Sequence, residues 1–409
     1  MSEDIRAIAF YLPQYHPIPE NDEWWGKGFT EWRNVAKTKP QFPGHYQPHI
    51  PADLGFYDLR LPEAREAQAE LAREYNIHGF CYYHYWFNGR RILERPFNEV
   101  LASGKPDFPF CLCWANENWT RAWDGSERTV LLVQHYSHED DITHIRSLMS
   151  AFRDDRYIRI NGKPLFLVYR PENMPNPAHT AEIWREEAMR AGIGELYLAT
   201  VESFESGVDP RSIGFDAAVE FAPDWRNIGD LLYRTNFHRL LIKLNVLSDI
   251  YLKQQVAQYS TLVRKMLSKP AANYLQFRGV TPGFDNASRR SEGAAVFLGA
   301  TPEKYEVWMR EIVRQTLKTH QGDERIVFVN AWNEWAEGNH LEPDLRHGHS
   351  FLEATKRALS EACPSNIPTS IEPVSTDTKE WAAKKLYWRV RQIGDELKEL
   401  ARHVNNKKD

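Results

Sequence analysis

The chain has few cysteines and no long apolar segment. Four of its 409 residues are Cys, too few for a disulfide framework, and Cys81, Cys111 and Cys113 fall in apolar runs that predict reduced, buried thiols. No apolar run approaches the ~20 residues that a membrane-spanning helix needs. The first residues also lack the basic and apolar regions of a secretory signal. These absences predict a cytoplasmic protein without a transmembrane segment.

The sequence also lacks an excess of charge and the common cofactor motifs. Lys and Arg total 51 against 56 Asp and Glu, a formal net charge of -5, so charge gives no reason to expect a nucleic-acid partner. Walker, G-x-G-x-x-G, G-x-S-x-G and H-E-x-x-H patterns are missing. No two aspartates have the D-x-D spacing used by many metal-dependent sugar transferases, and no Cys/His spacing fits zinc. We therefore expect no metal and no cofactor.

Aromatic residues are, in contrast, abundant. The chain contains 14 Trp, 18 Tyr and 20 Phe, which make up 13% of it, and many occur in short clusters. Flat rings with polar rims suit the faces of sugar rings, although the same residues also fill protein cores. This composition favours a carbohydrate as the binding partner.

Eight short apolar runs, most of them separated by helix-like segments, predict the fold. Runs without a clear polar alternation are typical of parallel strands that are buried on both faces. Strand alternating with helix eight times indicates a (β/α)8 TIM barrel, an α/β fold, and the alternative is a doubly wound open sheet. The runs are Arg6 to Tyr11, Gly79 to Trp86, Phe108 to Trp114, Pro164 to Tyr169, Glu195 to Val201, Asp216 to Phe221, Gln276 to Thr281 and Ile326 to Trp332.

The segments around these runs predict helices, insertions and a C-terminal extension. Helices are expected after Pro62, after a Ser137 cap, around Ile183 and over 349–362. Long loops at 12–55, after the first strand, and 226–274, before the seventh, belong to a barrel domain of residues 1–362. Residues 363–378 read as a linker. Heptad spacing over 379–409 predicts an amphipathic helix, which either packs on the barrel or pairs with another chain, as in a homo-oligomer.

The densest polar cluster follows the eighth run. There, Asn333, Glu334 and Glu337 stand between the indoles of Trp332 and Trp335. In a barrel this position is the C-terminal mouth, where enzymes that cleave glycosidic bonds carry an acid and a base. Neighbouring rings raise a carboxyl pKa by desolvation. The pattern predicts Glu334 and Glu337 as catalytic residues, with the two tryptophans and Asn333 against the substrate; the alternative is a surface turn whose glutamates cap a helix.

Five segments in order carry a resemblance to a known family. The run from Asn333 to Gly338, followed by Leu341-Glu342-Pro343, resembles the carboxylate motif of glycoside hydrolase family 99 and its WbsX-type relatives from bacterial surface-polysaccharide gene clusters. The segments 9–16, 79–87, 114–119 and 282–286 agree with it. The resemblance spans residues 5–362.

The resemblance implies a barrel and a retaining mechanism through a 1,2-anhydro sugar. In that scheme Glu334 acts as the base on the substrate 2-hydroxyl. Glu337 protonates the leaving group and then activates water. The resemblance itself also includes proteins described as glycosyltransferases, so transfer remains an alternative to hydrolysis.

Other polar and aromatic residues follow the remaining runs and are expected to contact sugar. A carboxylate and amides between indoles suit hydroxyl groups and ring faces, while a packed loop or core position is the competing interpretation of each. The expected substrate-binding residues are Tyr11, Gln14, His16, His84, Tyr85, Trp114, Asn116, Glu117, Trp119 and Asp285. Arg289 and Arg290 could favour an anionic group, and Glu202 and Glu220 are weaker candidates by position alone.

Three functions remain open from the sequence. The leading hypothesis is a hydrolase of glycosidic bonds in a bacterial surface polysaccharide, of O-antigen or capsule type, or its precursor. The second is a glycosyltransferase or transglycosylase that builds such a polymer. The third is a carbohydrate-binding protein without turnover. Retention of both glutamates weighs against the third, and the missing export signal favours the second.

Overall fold

A computed structural model describes residues 5–42, 44–121, 126–232, 234–244 and 248–360 of the chain. Its centre is a sheet whose eight main strands we number along the chain. They are β1 (Arg6–Tyr11), β2 (Ile77–Phe87), β3 (Phe110–Trp114), β4 (Lys163–Val168), β5 (Tyr197–Glu202), β6 (Ala217–Glu220), β7 (Gln276–Val280) and β8 (Ile326–Val329).

The eight strands close into a parallel barrel. Each strand from β1 to β7 pairs in parallel with the next strand along the chain. The barrel closes because β1 also pairs with β8, with Ala7 opposite Val327. Each of the eight predicted runs overlaps one strand, so the predicted (β/α)8 barrel is confirmed. Closure excludes the open doubly wound sheet.

The composition of the strands explains why they lie at the centre. Every residue of β3, β5, β6 and β8 is buried, as expected for parallel strands covered on both faces. Aromatic rings meet inside the barrel, where Phe10 stacks on Tyr83 with centroids 5.6 Å apart and meets Phe221 edge-on at 5.9 Å. The thiols of Cys81, Cys111 and Cys113 are free and buried, which confirms that expectation for these three.

Helices surround the barrel and connect its strands. Within the described residues they are α1 (Pro19–Trp25), α2 (Glu31–Lys37), α3 (Pro62–Glu74), α4 (Arg95–Ser103), α5 (His138–Ser147), α6 (Met149–Arg153), α7 (Pro177–Arg190), α8 (Asn236–Lys243), α9 (Ile250–Lys253), α10 (Tyr259–Leu267), α11 (Pro302–Thr319) and α12 (Ser350–Ser360).

The predicted helix signals act as expected, with two local differences. The hydroxyl of Ser137 accepts a hydrogen bond from the Asp140 amide at the start of α5, which is N-capping. However, α5 ends at Ser147, so Met149 begins the separate short helix α6. The helix expected around Ile183 is α7, and its Met189 side chain is 58% exposed to solvent.

The two long insertions follow strand ends and build one side of the barrel mouth. The first insertion carries α1 and α2. The second carries α8, α9 and α10, and its strand Gln255–Gln258 pairs in parallel with Ala295–Leu298. A second, smaller hydrophobic core forms here, separate from the barrel core; its buried members are Phe42, Tyr251, Val256, Ala287, Ala294 and Val296.

Some expectations fall outside the described residues. Cys363, the linker 363–378 and the helix over 379–409 lie there, so they stay predictions. Across the part of the chain that the structure describes, no helix has both the length and the apolar character needed to cross a membrane.

Candidate active site

A cavity of about 550 Å³ opens at the mouth of the barrel, where the strands end. Loops after several strands contribute to its wall, as is usual for this fold. Six of the predicted catalytic and substrate-binding residues line it, namely Gln14, Tyr85, Glu117, Trp119, Glu334 and Glu337, and so do Arg289 and Arg290.

The two glutamates are delivered by a tight turn after β8. The strand Asn333–Glu334 pairs in antiparallel fashion with Asn339–His340, and the intervening residues form a single 3-10 turn that ends at Gly338 with φ 54°. A Cβ atom at Gly338 would lie 3.1 Å from the Asp285 side chain and 3.3 Å from the His49 ring. Glycine is therefore required both by the left-handed backbone and by the close packing.

One guanidinium joins three carboxylates at the floor of the cavity. Arg289 Nη1 donates to Glu337 Oε1 at 2.5 Å and Nη2 donates to Glu334 Oε2 at 2.9 Å. Arg289 Nε donates to Oε2 of Glu31 at 3.1 Å. Glu31 begins α2 in the first insertion and is fully buried. The predicted pair thus belongs to a group of four charged side chains.

Burial and crowded charge change the acidity of this group. Burial raises the pKa of Glu334 to about 8; Arg289 opposes the rise, and Glu337 and Glu31 add to it. Burial likewise raises the pKa of Glu31. A raised carboxyl pKa favours the protonated form of Glu334 at neutral pH. The group therefore holds one proton that it can give to or exchange with a ligand.

The loop after β3 forms the opposite wall. Glu117 accepts a hydrogen bond from Arg170 Nη1 at 2.6 Å, and burial raises its pKa although Arg170 opposes the rise. The indole of Trp119 stacks on Tyr85 with centroids 5.4 Å apart and an angle of 17° between the rings. These flat walls and the carboxylate suit a sugar ring and its hydroxyl groups.

Alternation along β2 decides which of its side chains reach the cavity. Tyr83, Tyr85 and Phe87 line it. His84 points the other way, and its Nε2 atom lies 3.0 Å from Nε2 of His144 on α5. His84, which was expected to contact substrate, therefore faces away from the cavity, because neighbouring residues of a strand face opposite sides.

The end of β1 divides in the same way. Gln14 lines the cavity, and its buried side-chain nitrogen has no hydrogen-bond partner among the described residues. Tyr11 instead donates its hydroxyl proton to Gln68 on α3 at 2.7 Å. His16 is 1% exposed, and burial lowers its pKa to about 4. Tyr11 and His16 are therefore part of the protein interior and do not line the cavity.

Two predicted residues, at and just after the end of β3, pack behind the cavity wall. Trp114 is fully buried and its indole N–H donates to the Trp86 carbonyl at 3.3 Å. Asn116 is also fully buried; its amide donates to the Arg170 carbonyl and accepts from the Arg170 N–H, both at 2.7 Å. Since its polar atoms bind the backbone, Asn116 joins the ends of β3 and β4 and does not contact substrate.

The predicted residues around the glutamates have structural partners as well. Asn333 exchanges hydrogen bonds with the backbone of Leu12 at 2.7 and 3.0 Å, which ties the end of β8 to the end of β1. The indole N–H of Trp335 donates to Glu342 at 2.5 Å. Trp332 is fully buried. These three therefore lie in the core beneath the turn that carries Glu334 and Glu337, and they do not line the cavity.

Asp285 also has a protein partner. Its Oδ2 atom lies 2.6 Å from Nε2 of His45, and its Oδ1 accepts from the Ala287 amide at 3.0 Å. The Asp285 amide donates to the Glu337 carbonyl at 2.5 Å. Asp285 thus links the first insertion to the turn that carries Glu337, and it does not line the cavity.

The weaker carboxylate candidates are engaged elsewhere. Glu202 accepts hydrogen bonds from Tyr274 and Gln276, each at 2.5 Å. Glu220 forms ion pairs with Lys269 at 2.8 Å and Arg278 at 2.7 Å. Neither lines the main cavity, so position at a strand end alone was an insufficient criterion.

Several cavity residues were missed or misread. Tyr83 could have been identified, because it lies two positions before Tyr85 on the same strand face. Glu31 carries no such signal, since a buried acid in an insertion looks like any helix-starting glutamate. Arg289 was considered as a group for binding anionic ligands, whereas it binds the protein's own glutamates. Tyr169, Phe221 and Trp225 complete the aromatic wall.

A second polar cluster lies directly behind the turn that carries Glu334 and Glu337. His49, His340 and Asp344 place one ring nitrogen or carboxylate oxygen each within 4.8 Å of one another. His49 Nδ1 and His340 Nε2 are 2.8 Å apart. The ring of His340 stacks on Trp335 with centroids 3.7 Å apart. This is a donor set that could hold a metal ion.

Solved structures share this architecture. A protein described as a glycoside hydrolase-like protein matches with a TM-score of 0.53 at 13% identity, covering 88% of this chain and 94% of that one. The GH99 endo-alpha-mannosidase from Bacteroides thetaiotaomicron matches with a TM-score of 0.52 at 15% identity, covering 88% and 98%. At this identity the likeness shows the fold alone.

Sequence comparison gives the family. Two proteins named uncharacterized protein WxcX, from Xanthomonas campestris pv. campestris strains B100 and ATCC 33913, are 47% and 48% identical over 355 residues. The matches cover 87% of this chain and 50% of each relative, so the chain spans about half the length of these curated relatives. The model of the family described as glycosyltransferase WbsX matches residues 7–355. The resemblance seen in the sequence is therefore confirmed: the chain belongs to the WbsX family.

Proposed function

We propose that the chain is a glycoside hydrolase-like enzyme that acts on glycosidic bonds of a bacterial surface polysaccharide or its precursor. One observation carries the proposal. Glu334 and Glu337 both line an aromatic-walled cavity at the barrel mouth while binding the same guanidinium of Arg289. Two carboxyl groups that face one sugar site are the elements that glycosidic-bond cleavage requires.

The mechanism assigns one bond change to each carboxyl group. Glu334 takes the proton from the substrate 2-hydroxyl, and the 2-oxygen forms a bond with the anomeric carbon. The bond from that carbon to the leaving oxygen breaks as Glu337 protonates this oxygen. Glu337, now ionised, takes a proton from water, and the resulting hydroxide equivalent opens the 1,2-anhydro sugar with return of a proton to the 2-oxygen from Glu334.

The raised pKa of Glu334 sets the starting position of the proton. The mechanism needs the negative charge on Glu334 and the proton on Glu337 when sugar is bound. Because burial raises the pKa of Glu334, a proton held there has to pass to Glu337 before the bond changes begin. Arg289 contacts both glutamates and stabilises the charge on either one, which keeps this exchange within one hydrogen-bonded group.

The remaining walls supply recognition. Trp119 and Tyr85 offer stacked ring faces, and Glu117 offers a carboxylate acceptor for sugar hydroxyl groups. In the same cavity Gln14 presents a buried amide nitrogen that has no hydrogen-bond partner within the described part of the chain, and such a group gains most from a ligand acceptor. The volume of about 550 Å³ accommodates an oligosaccharide segment better than a single small molecule.

The family description supports a second candidate, transfer of a sugar to an acceptor. A transferase would use the same pair of glutamates but would deliver the sugar to an acceptor hydroxyl in place of water. The two functions differ in a measurable way, because a donor-dependent transferase consumes an activated sugar and a hydrolase releases reducing ends without one.

The test is reducing-end release from the surface polysaccharide of the organism that encodes the chain, with no nucleotide sugar present. We expect release by the wild-type protein and a loss of at least about 100-fold with Glu337→Gln, because proton transfer to the leaving group is lost. Glu202→Gln is the matched control, since Glu202 also ends a barrel strand but does not line the main cavity.

Three outcomes are informative. Release that disappears in Glu337→Gln and persists in Glu202→Gln supports hydrolysis at this site. No release without a donor, but elongation with an activated sugar, supports the transferase. Equal loss in both variants would contradict the assignment of Glu337.

A further inference from the structure

We propose that His49, His340 and Asp344 bind one divalent transition-metal ion of the zinc type behind the catalytic turn. The residues belong to two distant parts of the chain, the first insertion and the loop after β8. The site is separate from the glutamates, so the proposal does not depend on the reaction that they carry out.

The donor set and its spacing fit such an ion. Two imidazoles and one carboxylate form an N2O set, which is typical of zinc sites in proteins. Ligand atoms about 2.1 Å from a tetrahedral ion lie about 3.4 Å from one another. The three atoms here all lie within 4.8 Å of one another, and the two ring nitrogens are 2.8 Å apart. To reach tetrahedral geometry the two nitrogens would move apart by about 0.6 Å, and the Asp344 oxygen would settle at about 3.4 Å from each of them.

The surroundings of His340 orient its lone pair toward the cluster. Its Nδ1 atom lies 2.8 Å from the Glu342 carbonyl oxygen, which can only accept, so Nδ1 carries the proton. The neutral ring therefore presents an unprotonated Nε2 to His49 and Asp344. This pairing of a ring N–H with a backbone carbonyl is the usual support of a metal-bound histidine.

Asp344 provides the negative charge of the cluster. Its side chain is buried, at 3% exposure. Its Oδ1 accepts from the amides of Arg346 and His347 at 3.0 and 2.5 Å. Within the described ranges no lysine or arginine forms an ion pair with it, although the guanidinium of Arg346 is close by over the Tyr46 ring. A buried carboxylate is unfavourable without a cation, and a divalent ion would supply one.

The backbone holds the ligands in place without the ion. The Ala52 amide donates to the Pro343 carbonyl and the Leu345 amide donates to the Ile50 carbonyl, both at 2.9 Å. These two bonds bracket the cluster and set His49 against the segment that carries Asp344. The site is therefore built by paired chain segments and not by one flexible loop.

A neutral hydrogen bond between the two histidines is the simpler alternative. It accounts for the distance between His49 Nδ1 and His340 Nε2 but leaves the buried charge of Asp344 beside two neutral rings. A bound ion satisfies the two lone pairs and the carboxylate together.

The position of the site indicates what the ion would do. The His49 ring packs against Gly338, which ends the turn that carries Glu337. The His340 ring stacks on Trp335 within the same turn. The ion would fasten the first insertion to the back of this turn, so its role is to position the turn and it would not contact substrate.

The experiment measures metal in the full-length protein. We expect purified protein to contain about one zinc per chain by elemental analysis. After chelation, Zn²⁺ should rebind and raise the melting temperature, because a ligand that binds the folded state stabilises it. Co²⁺ in place of Zn²⁺ should give the visible absorption of a four-coordinate site.

Variants locate the ion. His49→Gln and His340→Gln should each weaken Zn²⁺ affinity by at least about 100-fold, a loss expected on removal of a direct ligand. His45→Gln is the matched control, because His45 lies in the same insertion but contacts Asp285. If His340→Gln does not fold, the wild-type titration and the His49→Gln variant still show whether the ion binds at this site.

Three results would overturn the proposal. The first is wild-type protein without metal that shows neither Zn²⁺-dependent stabilisation nor a Co²⁺ spectrum. The second is affinity that His49→Gln leaves unchanged. The third is equal weakening by His45→Gln, which would place the ion elsewhere.

Discussion

At the scale of single residues, Arg289 and its three carboxylate partners determine the net charge at the floor of the cavity. When all three glutamates are ionised, the group carries two negative charges more than positive ones. Burial makes that state costly, which is why the pKa of Glu334 rises to about 8 instead of staying near the ordinary value of 4.5. The site therefore keeps a proton at neutral pH that an exposed glutamate would lose.

This proton predicts the alkaline limb of the pH profile. Below about pH 8 the pair holds the proton that leaving-group protonation requires, and above it the proton is lost. We expect kcat/KM to fall by about tenfold per pH unit above pH 8. Measuring kcat/KM between pH 6 and 10, with circular dichroism to verify the fold, checks this.

The Glu31→Gln variant tests whether the raised pKa of Glu334 causes the alkaline limb of the pH profile. Glu31 raises the pKa of Glu334 by its charge and also competes for Arg289, so its neutralisation should move the limb to lower pH. A limb that stays in place, or a wild-type kcat/KM that still rises at pH 9, would contradict this account.

Sequence reasoning reached only part of this group. Glu334 and Glu337 could be predicted because they directly follow an apolar strand run between tryptophans. The contact between Arg289 and Glu31 joins residues 258 positions apart, and no local pattern encodes it. The pKa of Glu334 depends on that contact and on burial, so it also required the structure.

At the scale of elements, the two faces of β2 separate binding from stability. Tyr85 lines the cavity and stacks on Trp119, whereas His84, its neighbour, is 4% exposed and contacts His144 on α5. A single step along the strand thus changes a side chain from a cavity wall to the core.

Alanine variants of these neighbours should have different effects. Tyr85→Ala removes a stacking surface and should raise KM about tenfold, or roughly 1.4 kcal/mol, with little change in melting temperature. His84→Ala leaves a buried gap and an unpaired His144, so it should lower the free energy of unfolding by roughly 3 kcal/mol. Steady-state kinetics and thermal unfolding of both variants check this, and a similar rise in KM in the two would contradict it.

The strands themselves were easier to predict than their faces. Uninterrupted apolar runs mark where each strand lies but, being buried on both sides, do not show which residues point inward. This is why Tyr11 and His84 were expected in the cavity and Tyr83 was not. The known orientation of one residue on a strand, such as Tyr85, fixes the others by alternation.

At the scale of the whole molecule, two hydrophobic cores coexist. The large core fills the barrel, and the small one joins Phe42, Tyr251, Val256 and the segment around Ala294. Ala287, also in the small core, precedes Arg289 by two residues. The eight apolar runs predicted the barrel core, but the small core draws on three distant segments and could not be predicted from them.

The small core should open independently of the barrel. Val256→Ala should cost roughly 2 kcal/mol locally, which speeds amide exchange in Gln255–Gln258 and Ala295–Leu298 by about 30-fold. Exchange in the barrel strands should stay unchanged. Hydrogen–deuterium exchange with mass spectrometry measures both.

Val219→Ala is the control, since Val219 is fully buried in β6 and its truncation should speed exchange in the barrel itself. Uniform acceleration throughout the chain with Val256→Ala would show that the two cores unfold as one.

Closure of the barrel through β1 and β8 has a consequence for synthesis on the ribosome. The hydrogen bond from the Leu12 amide to Asn333 joins positions 321 apart, and the edge of β1 that faces β8 stays unpaired until the last strand emerges. An exposed strand edge invites pairing with other chains. A nascent chain of this protein therefore depends longest on chaperone protection at its first strand, and an early stop before Ile326 leaves that edge permanently open.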